Sequence, residues 1–476
     1  MRKGGKHRIL SAQQVREVDE YALRLLEEVG CRVLCEEAIE ILSQAGCDVR
    51  DRHRVRIPRK AVRESIEAAA KRIDVYNRKG RLAMSFRKDR CYYGTGSDCI
   101  TTRDLYTGAR RASTKADVAN LACFTDALPN MDFVMSFGIA NDAPGGTNFV
   151  HQYDAMLRNT VKPIIVTAHG RGDMTTMVEM AAAAVGGIER LKQKPPLVLY
   201  SEPISPLVHS EMGVGKGLIC CEYGIPFIYI GSPYMGATAP ASLEAILVQA
   251  VAESLSGLVI FQNKKPGAKF IFGGDATAMD MQSAIFSYGC PELNMLNAGL
   301  ADMAHHYGLP FFCIAGSTDA KTVDAQAGLE YALSLFNATL NGCNIIHDCG
   351  YLEYGSTSSF ESLLLADEIV GMIKFMLRPL SFNEETVPLA LMNKVGPGGN
   401  FLLEDHTLQN FRSGVWFPRF LDRKVFDKWQ EAGSRDLAAV LNEQARRIFE
   451  GHRPAALSPK ICRDLDGIIA RHRADV

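Results

Sequence analysis

The chain is short of the features that would send it to a membrane, a nucleic acid or an oxidising compartment. Across 476 residues the formal net charge is only −1, so no overall basic surface points to nucleic acid or an anionic bilayer. Short clusters such as Arg110-Arg111 read as solvated. No uninterrupted apolar stretch reaches the ~18 residues that suggest a membrane span. The start, MRKGGKHRILSAQQ, is basic, but no apolar run follows it, so it does not read as a secretory signal. The 13 cysteines lack any regular spacing. An odd, scattered set in a large chain predicts reduced thiols and a cytoplasmic address. Low-complexity segments are missing as well.

What is present is a regular alternation. The residues are 47% hydrophobic and 22% charged, the proportions of a globular protein, and the length is ample for a substantial core. From residue 91 onward, apolar β-rich runs recur at 91–95, 132–137, 163–168, 196–201, 226–231, 269–273, 310–315 and 343–347. Each is continuous rather than alternating, as expected for strands buried on both faces. Helical patterns separate them, at 115–128, 148–158, 174–185, 207–223, 242–259, 279–307, 324–340 and 358–377. Eight strand-then-helix units in about 290 residues match the size of a (β/α)8 barrel. A doubly wound sheet could use the same alternation, but eight near-equal units favour closure. The expected fold is therefore α/β, a (β/α)8 TIM barrel over 91–378. Residues 1–90 read as a mainly helical module, with amphipathic patterns at 15–29 and 35–45 and a short strand at 54–58. Residues 379–476 read as a C-terminal extension of loop and helices packed on the barrel.

In such a barrel, active groups sit at the carboxyl ends of the strands. Those ends are found without reference to chemistry, and polar, small and aromatic residues gather there. The first run leads to Gly94-Thr-Gly-Ser-Asp98 and the second ends at Phe137. The third leads to His169, the fourth to Glu202 and His209, the fifth to Tyr234, the sixth to Asp275 and the seventh to Lys321. The eighth leads to His347-Asp-Cys-Gly-Tyr-Leu-Glu-Tyr-Gly355. The opposite ends carry Pro163, Pro196, Pro226 and Pro310, which is turn chemistry.

These loops resemble a known family. SEPISPLVHS (201–210), GSPYMGATAPASL (231–243), DAQAGLEYALSL (324–335), HDCGYLEYG (347–355) and GPGGNFLLEDHTL (396–408) resemble the trimethylamine methyltransferase family, the B-type corrinoid methyltransferases. The resemblance spans most of the chain, in order. It implies a barrel enzyme that moves a methyl group from a methylated amine to the Co(I) corrinoid (cobalamin) of a separate small corrinoid protein. It also implies a homo-oligomer, with no metal bound by this chain itself and no nucleic-acid or membrane partner. Members acting on trimethylamine carry pyrrolysine in the barrel. This chain has only ordinary residues, and residues 316–321 are where the equivalent position is sought. The resemblance is thus to the branch that demethylates quaternary amines, glycine betaine first. Proline betaine, carnitine and γ-butyrobetaine are alternatives. Chemistry supports the split: a quaternary ammonium is already cationic and leaves as a neutral tertiary amine.

A trimethylammonium group has no hydrogen-bond donor, so aromatic faces and nearby negative charge must hold it. Aromatic candidates are Tyr93, Phe137, Tyr234, Tyr351, Tyr354 and Phe360. Glu202 and Glu353 could offset the charge. A substrate carboxylate could meet His209, His347, Lys321 or backbone amides. His347, Asp348 and Glu202 are the catalytic candidates. Three rival readings stand beside this one. His347 and Cys349, two apart on a strand, would share a face and could start a zinc site, with His209, Glu202 or Cys313 as further ligands. Lys321 could serve a Schiff-base lyase. A non-catalytic betaine-binding or scaffolding protein is the third.

Overall fold

Seven of the eight apolar runs lie side by side. In the computed structural model, which describes residues 7–87 and 90–472, they form one parallel sheet. Its order is Tyr92–Tyr93, Ile345–His347, Phe311–Ile314, Phe270–Gly273, Phe227–Tyr229, Leu197–Ser201 and Ile164–Val166. The fold is α/β, and the first strand in the chain pairs with the last. The remaining run, 132–137, contributes only Phe133 and Val134. Phe133 bridges Gly94, next to one edge strand, and Val134 bridges Ile164 of the other. Backbone bonds accompany them: Val134 N–H donates to Pro163 at 3.0 Å and Ile165 N–H to Val134 at 2.9 Å. The basic start of the chain, residues 1–6, lies outside the described residues.

Strand side chains alternate between two cores. Phe133, Ile165, Val198, Ile228, Ile271, Phe312 and Ile345 meet inside the curl of the sheet. Ile164, Leu197, Phe227, Phe270, Phe311 and Ile346 face the helices. Both faces are dry, which is why the runs read as continuously apolar.

The inner core is completed from outside the sheet. Ile73, Val75, Met84 and Phe86 join it from an antiparallel hairpin, Ile73–Tyr76 with Leu82–Phe86. The hairpin lies across the amino ends of the strands. Tyr76 N–H donates to Pro195 at 3.0 Å, just before the Leu197 strand, and Asn344 Nδ2 donates to Arg87 at 2.9 Å, just before the Ile345 strand. The mainly helical reading of residues 1–90 misses this element. The helices expected there do form, as Ala12–Arg24 and Glu36–Gln44, with Arg59–Ala68 added. All three pack on Leu243–Lys264. That helix is long and apolar enough by composition to cross a membrane, but 78% of its apolar window is buried.

Local chemistry sets the helix starts. Thr114 makes a capping box for Lys115–Ala127, and Ser242, Asp324 and Ser359 cap Leu243–Lys264, Ala325–Asn341 and Phe360–Met376. Two expected helices are shorter. The one at 207–223 starts at Glu211, behind the Ser210 cap, because Val208–His209 pairs with Arg32–Val33. The one at 279–307 starts at Pro291, because Thr277–Asp280 and Ile285–Phe286 pair as antiparallel strands. The strand expected at 54–58 amounts to isolated bridges at Val55 and Arg56.

The C-terminal extension is buried through its last two helices, with Phe420 partly buried against the outer core. Leu437–Gly451 and Pro459–Arg471 bring Leu441, Ala445, Leu465 and Ile468 into the outer core. Between Ile373 and Leu441 not one residue is buried.

The hairpin's role is testable. Phe86 is fully buried in the inner core, so Phe86→Ala is expected to lower stability by about 3–5 kcal/mol. Denaturant unfolding checks this as a lower midpoint at constant slope; an unchanged midpoint removes the hairpin from the core.

Candidate active site

The strand Ile345–His347 points Ile345 inward, Ile346 outward and His347 inward. The His347 ring stacks on Phe312, 4.1 Å between centroids at 24°, and sits 6.2 Å from Tyr200. It is 5% exposed. Asp348 then turns the chain into the left-handed region, φ +72°. Its Oδ1 lies 2.6 Å from His347 Nδ1, a close ion-pair contact. Asp348 Oδ1 and both ring nitrogens of His347 have no hydrogen-bond partner among the described residues.

The left-handed turn breaks the alternation of the strand. Cys349 therefore does not follow His347 inward. It lies in the outer core, with its sulfur 4.0 Å from the Ala315 carbonyl. Burial pushes its thiol well up, so it is held as a neutral thiol. The pair that a zinc site would start from is pulled apart. Among the described residues no group of three or more His, Cys, Asp or Glu side chains converges with metal-binding geometry.

A second close approach shapes the same corner. A Cβ on Gly96 would collide with the Asp348 carboxylate and the Tyr351 ring, so only glycine lets both pack there. Tyr351 stacks on Phe137 at 5.6 Å and 18° and donates its hydroxyl to the Ser97 carbonyl. Phe137 is itself left-handed, φ +52°.

Three further carboxyl groups stand at other strand ends. Asp275 follows Phe270–Gly273. Its Oδ2 accepts from the Tyr288 hydroxyl at 2.9 Å, and its Oδ1 has no partner among the described residues. Burial first, then the like charges of Asp348 and Glu202, push its carboxyl well above the usual range. Asp98, φ +62°, accepts from Gln152 at 2.7 Å and more loosely from Ser136 and Thr167; burial raises it too. Glu202 is exposed and accepts from the Tyr200 hydroxyl at 3.0 Å and Ser232 at 2.8 Å. No lysine or arginine pairs with any of these four carboxyl groups among the described residues. A buried ammonium close enough to feel Glu202 and Asp98 belongs to Lys216, which donates to the Ala168 carbonyl at 2.9 Å. Burial lowers its pKa, against the opposing pull of Glu202 and Asp98.

Aromatic side chains border the acids. The short pair of strands after Asp275 ends at Phe286, and Tyr288 follows two residues on. Phe286 stacks flat on Tyr234 at 5.1 Å and 6°, meets Tyr354 edge-on at 5.6 Å and touches Tyr288 at 5.1 Å. Buried acids without cationic partners, next to aromatic faces, suit a permanent cation that has no N–H to donate.

Several residues expected at the site lie elsewhere. Tyr93 has the opposite phase to Tyr92 and faces the helices, its hydroxyl on Thr339 at 2.8 Å and its ring under Lys374. His209 is a satisfied core histidine, between the Tyr229 hydroxyl at 2.8 Å and Ser256 at 2.9 Å. Phe360 is wedged between Phe124 and Phe449. Lys321 is exposed and bonds the Asp319 carbonyl. Glu353 pairs with Arg110 at 2.8 Å, and burial notwithstanding, Thr357 and that arginine hold its carboxyl low. The sequence reading passes over Gln152, Tyr200, Lys216, Phe286 and Tyr288. It quotes Asp98 and Asp275 only as loop residues, although their positions beyond two strand ends were a usable signal. Gln152, Lys216, Phe286 and Tyr288 fall in segments read as helix and carried none.

The buried His209 has a pH signature. Burial lowers its pKa from 6.5 to about 4, so the folded chain holds it neutral while the unfolded chain takes up the proton. Its contribution is present above the unfolded value and is lost as pH falls through the folded one, by about 3 kcal/mol. Wild type is therefore expected to lose more stability on acidification than His209→Gln, with neutral-pH turnover alike. Urea midpoints measured at neutral and mildly acidic pH decide it.

The sequence profile described as trimethylamine methyltransferase (MTTB) matches residues 1–476. A trimethylamine methyltransferase MttB of Desulfitobacterium hafniense (strain DSM 10664 / DCB-2) is 31% identical, over 87% of this chain and 84% of its own. A glycine betaine methyltransferase of D. hafniense (strain Y51) is 31% identical over 99% of this chain and 98% of its own. Among solved structures, the Methanosarcina barkeri monomethylamine methyltransferase (MtmB) superposes with a TM-score of 0.52 at 12% identity, covering 93% of this chain and 88% of that one. At that identity the likeness concerns fold alone.

Proposed function

This chain belongs to the trimethylamine methyltransferase family, and we propose that within it the protein demethylates a quaternary amine, glycine betaine first. It is a methyltransferase acting on methylated amines. The methyl group passes to the corrinoid of a separate small protein. The observation that carries this reading is the buried Asp275 Oδ1, left without a hydrogen-bond partner among the described residues, beside aromatic rings and near Asp348, whose Oδ1 meets the His347 ring at 2.6 Å. A fold tolerates such groups at a cost of several kcal/mol unless a ligand answers them.

The partner's Co(I) corrinoid supplies a strong nucleophile, so this chain needs none of its own. What the chain contributes is placement. Asp275 and Asp348 offset the ammonium charge, and Phe137, Tyr351, Tyr200 and Tyr288 offer faces to its methyl groups at ~0.5–2 kcal/mol each. Lys216 and His347 are the groups for a substrate carboxylate. The leaving amine is neutral, so no residue has to deliver a proton to it. Holding the methyl carbon in line and excluding water is worth ~7–11 kcal/mol of barrier. The residues at the rim fit a large flat ring: Gly236, Ala237 and Ala239 beside Tyr234 present little bulk.

The same reading treats the sheet as a closed (β/α)8 barrel over 91–378, supported by the bridges of Phe133 and Val134 to both edge strands. Residues 1–90 are then the module that stoppers it and residues 379–476 the extension. The 13 free thiols fit a cytoplasmic setting.

Two outcomes are expected. With a Co(I) corrinoid protein, glycine betaine should methylate the cobalt and appear as the tertiary amine, followed by cobalt absorbance; no methylation from any betaine sinks the substrate assignment. Second, a raised Asp275 carboxyl is neutral at low pH and ionises as pH rises, so affinity for a cationic substrate should increase with pH. Asp275→Asn should weaken binding at least tenfold at alkaline pH and flatten that dependence, read by calorimetric titration. A variant that binds with the wild-type pH profile rules Asp275 out as the counter-charge.

A further inference from the structure

Among the described residues the Asp275 carboxylate has one hydrogen-bond donor, the Tyr288 hydroxyl at 2.9 Å. Tyr288 sits in a turn with little support of its own. The strands ahead of it, Thr277–Asp280 and Ile285–Phe286, pair over two residues, and the first pairs over two more with Tyr234–Met235. Sheets this small hold only marginally by themselves, and Met281 and Ile285 stand exposed on this one. The turn is fixed instead from the loop of the next strand. Asp319, beyond Phe311–Ile314, accepts the Ser287 hydroxyl through Oδ2 and the Tyr288 N–H at 3.0 Å through Oδ1. Aspartate in an ordinary turn bonds its own near neighbours. Here Asp319 and Tyr288 are 31 residues apart, so one carboxylate joins two separate loops.

Asp319 is itself placed from an outer helix. Glu330 of Ala325–Asn341 accepts the Asp319 N–H at 2.9 Å and the Thr318 hydroxyl, and Gln326 bonds its other oxygen at 2.9 Å. A Cβ on Gly289 would strike the Glu330 carboxylate, so the turn lies directly against that support. Contacts therefore run without a gap from Glu330 through Asp319 and Tyr288 to Asp275.

We propose that Asp319 is a positioning residue for the mouth: by gripping the Ser287–Tyr288 turn it keeps the Tyr288 hydroxyl on the Asp275 carboxylate. This rests on the reading of Asp275 as the counter-charge to the amine. The ionisable groups that face Asp275 are Asp348, Glu202, Tyr200, Tyr234 and Tyr288. Burial and then the two acids disfavour its charge, and the Tyr288 bond favours it. Loss of that bond moves ionisation to higher pH and leaves less negative charge for a cation at neutral pH.

Labelling the aspartates of the full chain with 13C at Cγ reads the Asp275 carboxyl with no substrate present; the signal missing from Asp275→Asn marks it. Tyr288→Phe and Asp319→Ala should each raise its titration midpoint by about one unit. The double variant should shift no further than Tyr288→Phe alone, because Asp319 acts through that hydroxyl. Asp319→Asn keeps an acceptor for the Tyr288 N–H and should restore most of the wild-type midpoint. Calorimetric titration with glycine betaine is the second arm. Each single variant should bind roughly tenfold more weakly below the midpoint and match the wild type at alkaline pH. An unchanged midpoint in Asp319→Ala overturns the proposal, and so does a double variant whose shift is the sum of the two. If Asp319→Ala does not fold, Ser287→Ala removes one of the two gripping bonds and has to shift the midpoint the same way; no shift overturns the proposal equally. Shifted midpoints in a chain that binds no betaine overturn the substrate reading and uphold the grip of Asp319 on Tyr288.

Discussion

The mouth of this fold depends on one steric fact: two loops from adjacent strands approach more closely than any side chain at residue 96 would allow. Gly96 lies against Asp348 and Tyr351, and the left-handed backbone at Asp348 directs that approach. From it follow the stacking of Tyr351 on Phe137, the contact of Asp348 with the His347 ring and the outward turn of Cys349. Substrate-facing geometry and the loss of a metal-binding pair have a common cause in the backbone.

The acids at the mouth are a liability to folding. Asp98 and Asp275 are raised mainly because burial disfavours their charge, and no guanidinium relieves them. Elsewhere several buried acids have cationic partners, Asp367 and Glu368 with Arg419 and Asp154 with Lys115 and Arg158, and others are satisfied by neutral donors, as Glu253 is by Ser205, Leu207 and Gln249. The contrast separates acids that hold the fold from acids that the fold leaves unanswered. Perturbed, unpaired groups in one cleft are the physical mark of a site.

Much of this was legible beforehand, and the failures have definite causes. Doubly buried strands announce themselves by continuous apolar runs, and seven of eight formed as read. The eighth shrank to Phe133 and Val134. The carboxyl-end rule brought His347, Asp348, Tyr351 and Phe137 together. It does not tell which face a residue takes within a short strand, so it places Tyr93 at the mouth although Tyr92 is its inward neighbour. His209 follows a strand end in sequence, yet its local pairing with Arg32–Val33 turns it toward Tyr229. Tyr288 and Phe286 were hidden in an apparent helix whose first dozen residues form strands and turns instead. Lys216 reaches the acids from a helix, and no strand-based rule looks there.

The hairpin beneath the sheet has a kinetic consequence. With Ile73, Val75, Met84 and Phe86 joining the inner core from the amino ends of the strands, the inside of the sheet is plugged from below, which leaves the carboxyl-end mouth as its neck. Under the proposed reaction, amine and cobalt both need that neck. The amine has to be seated before the carrier docks, and the demethylated product stays trapped until the carrier departs. Turnover then follows a compulsory order, and undocking of the carrier times the release of product.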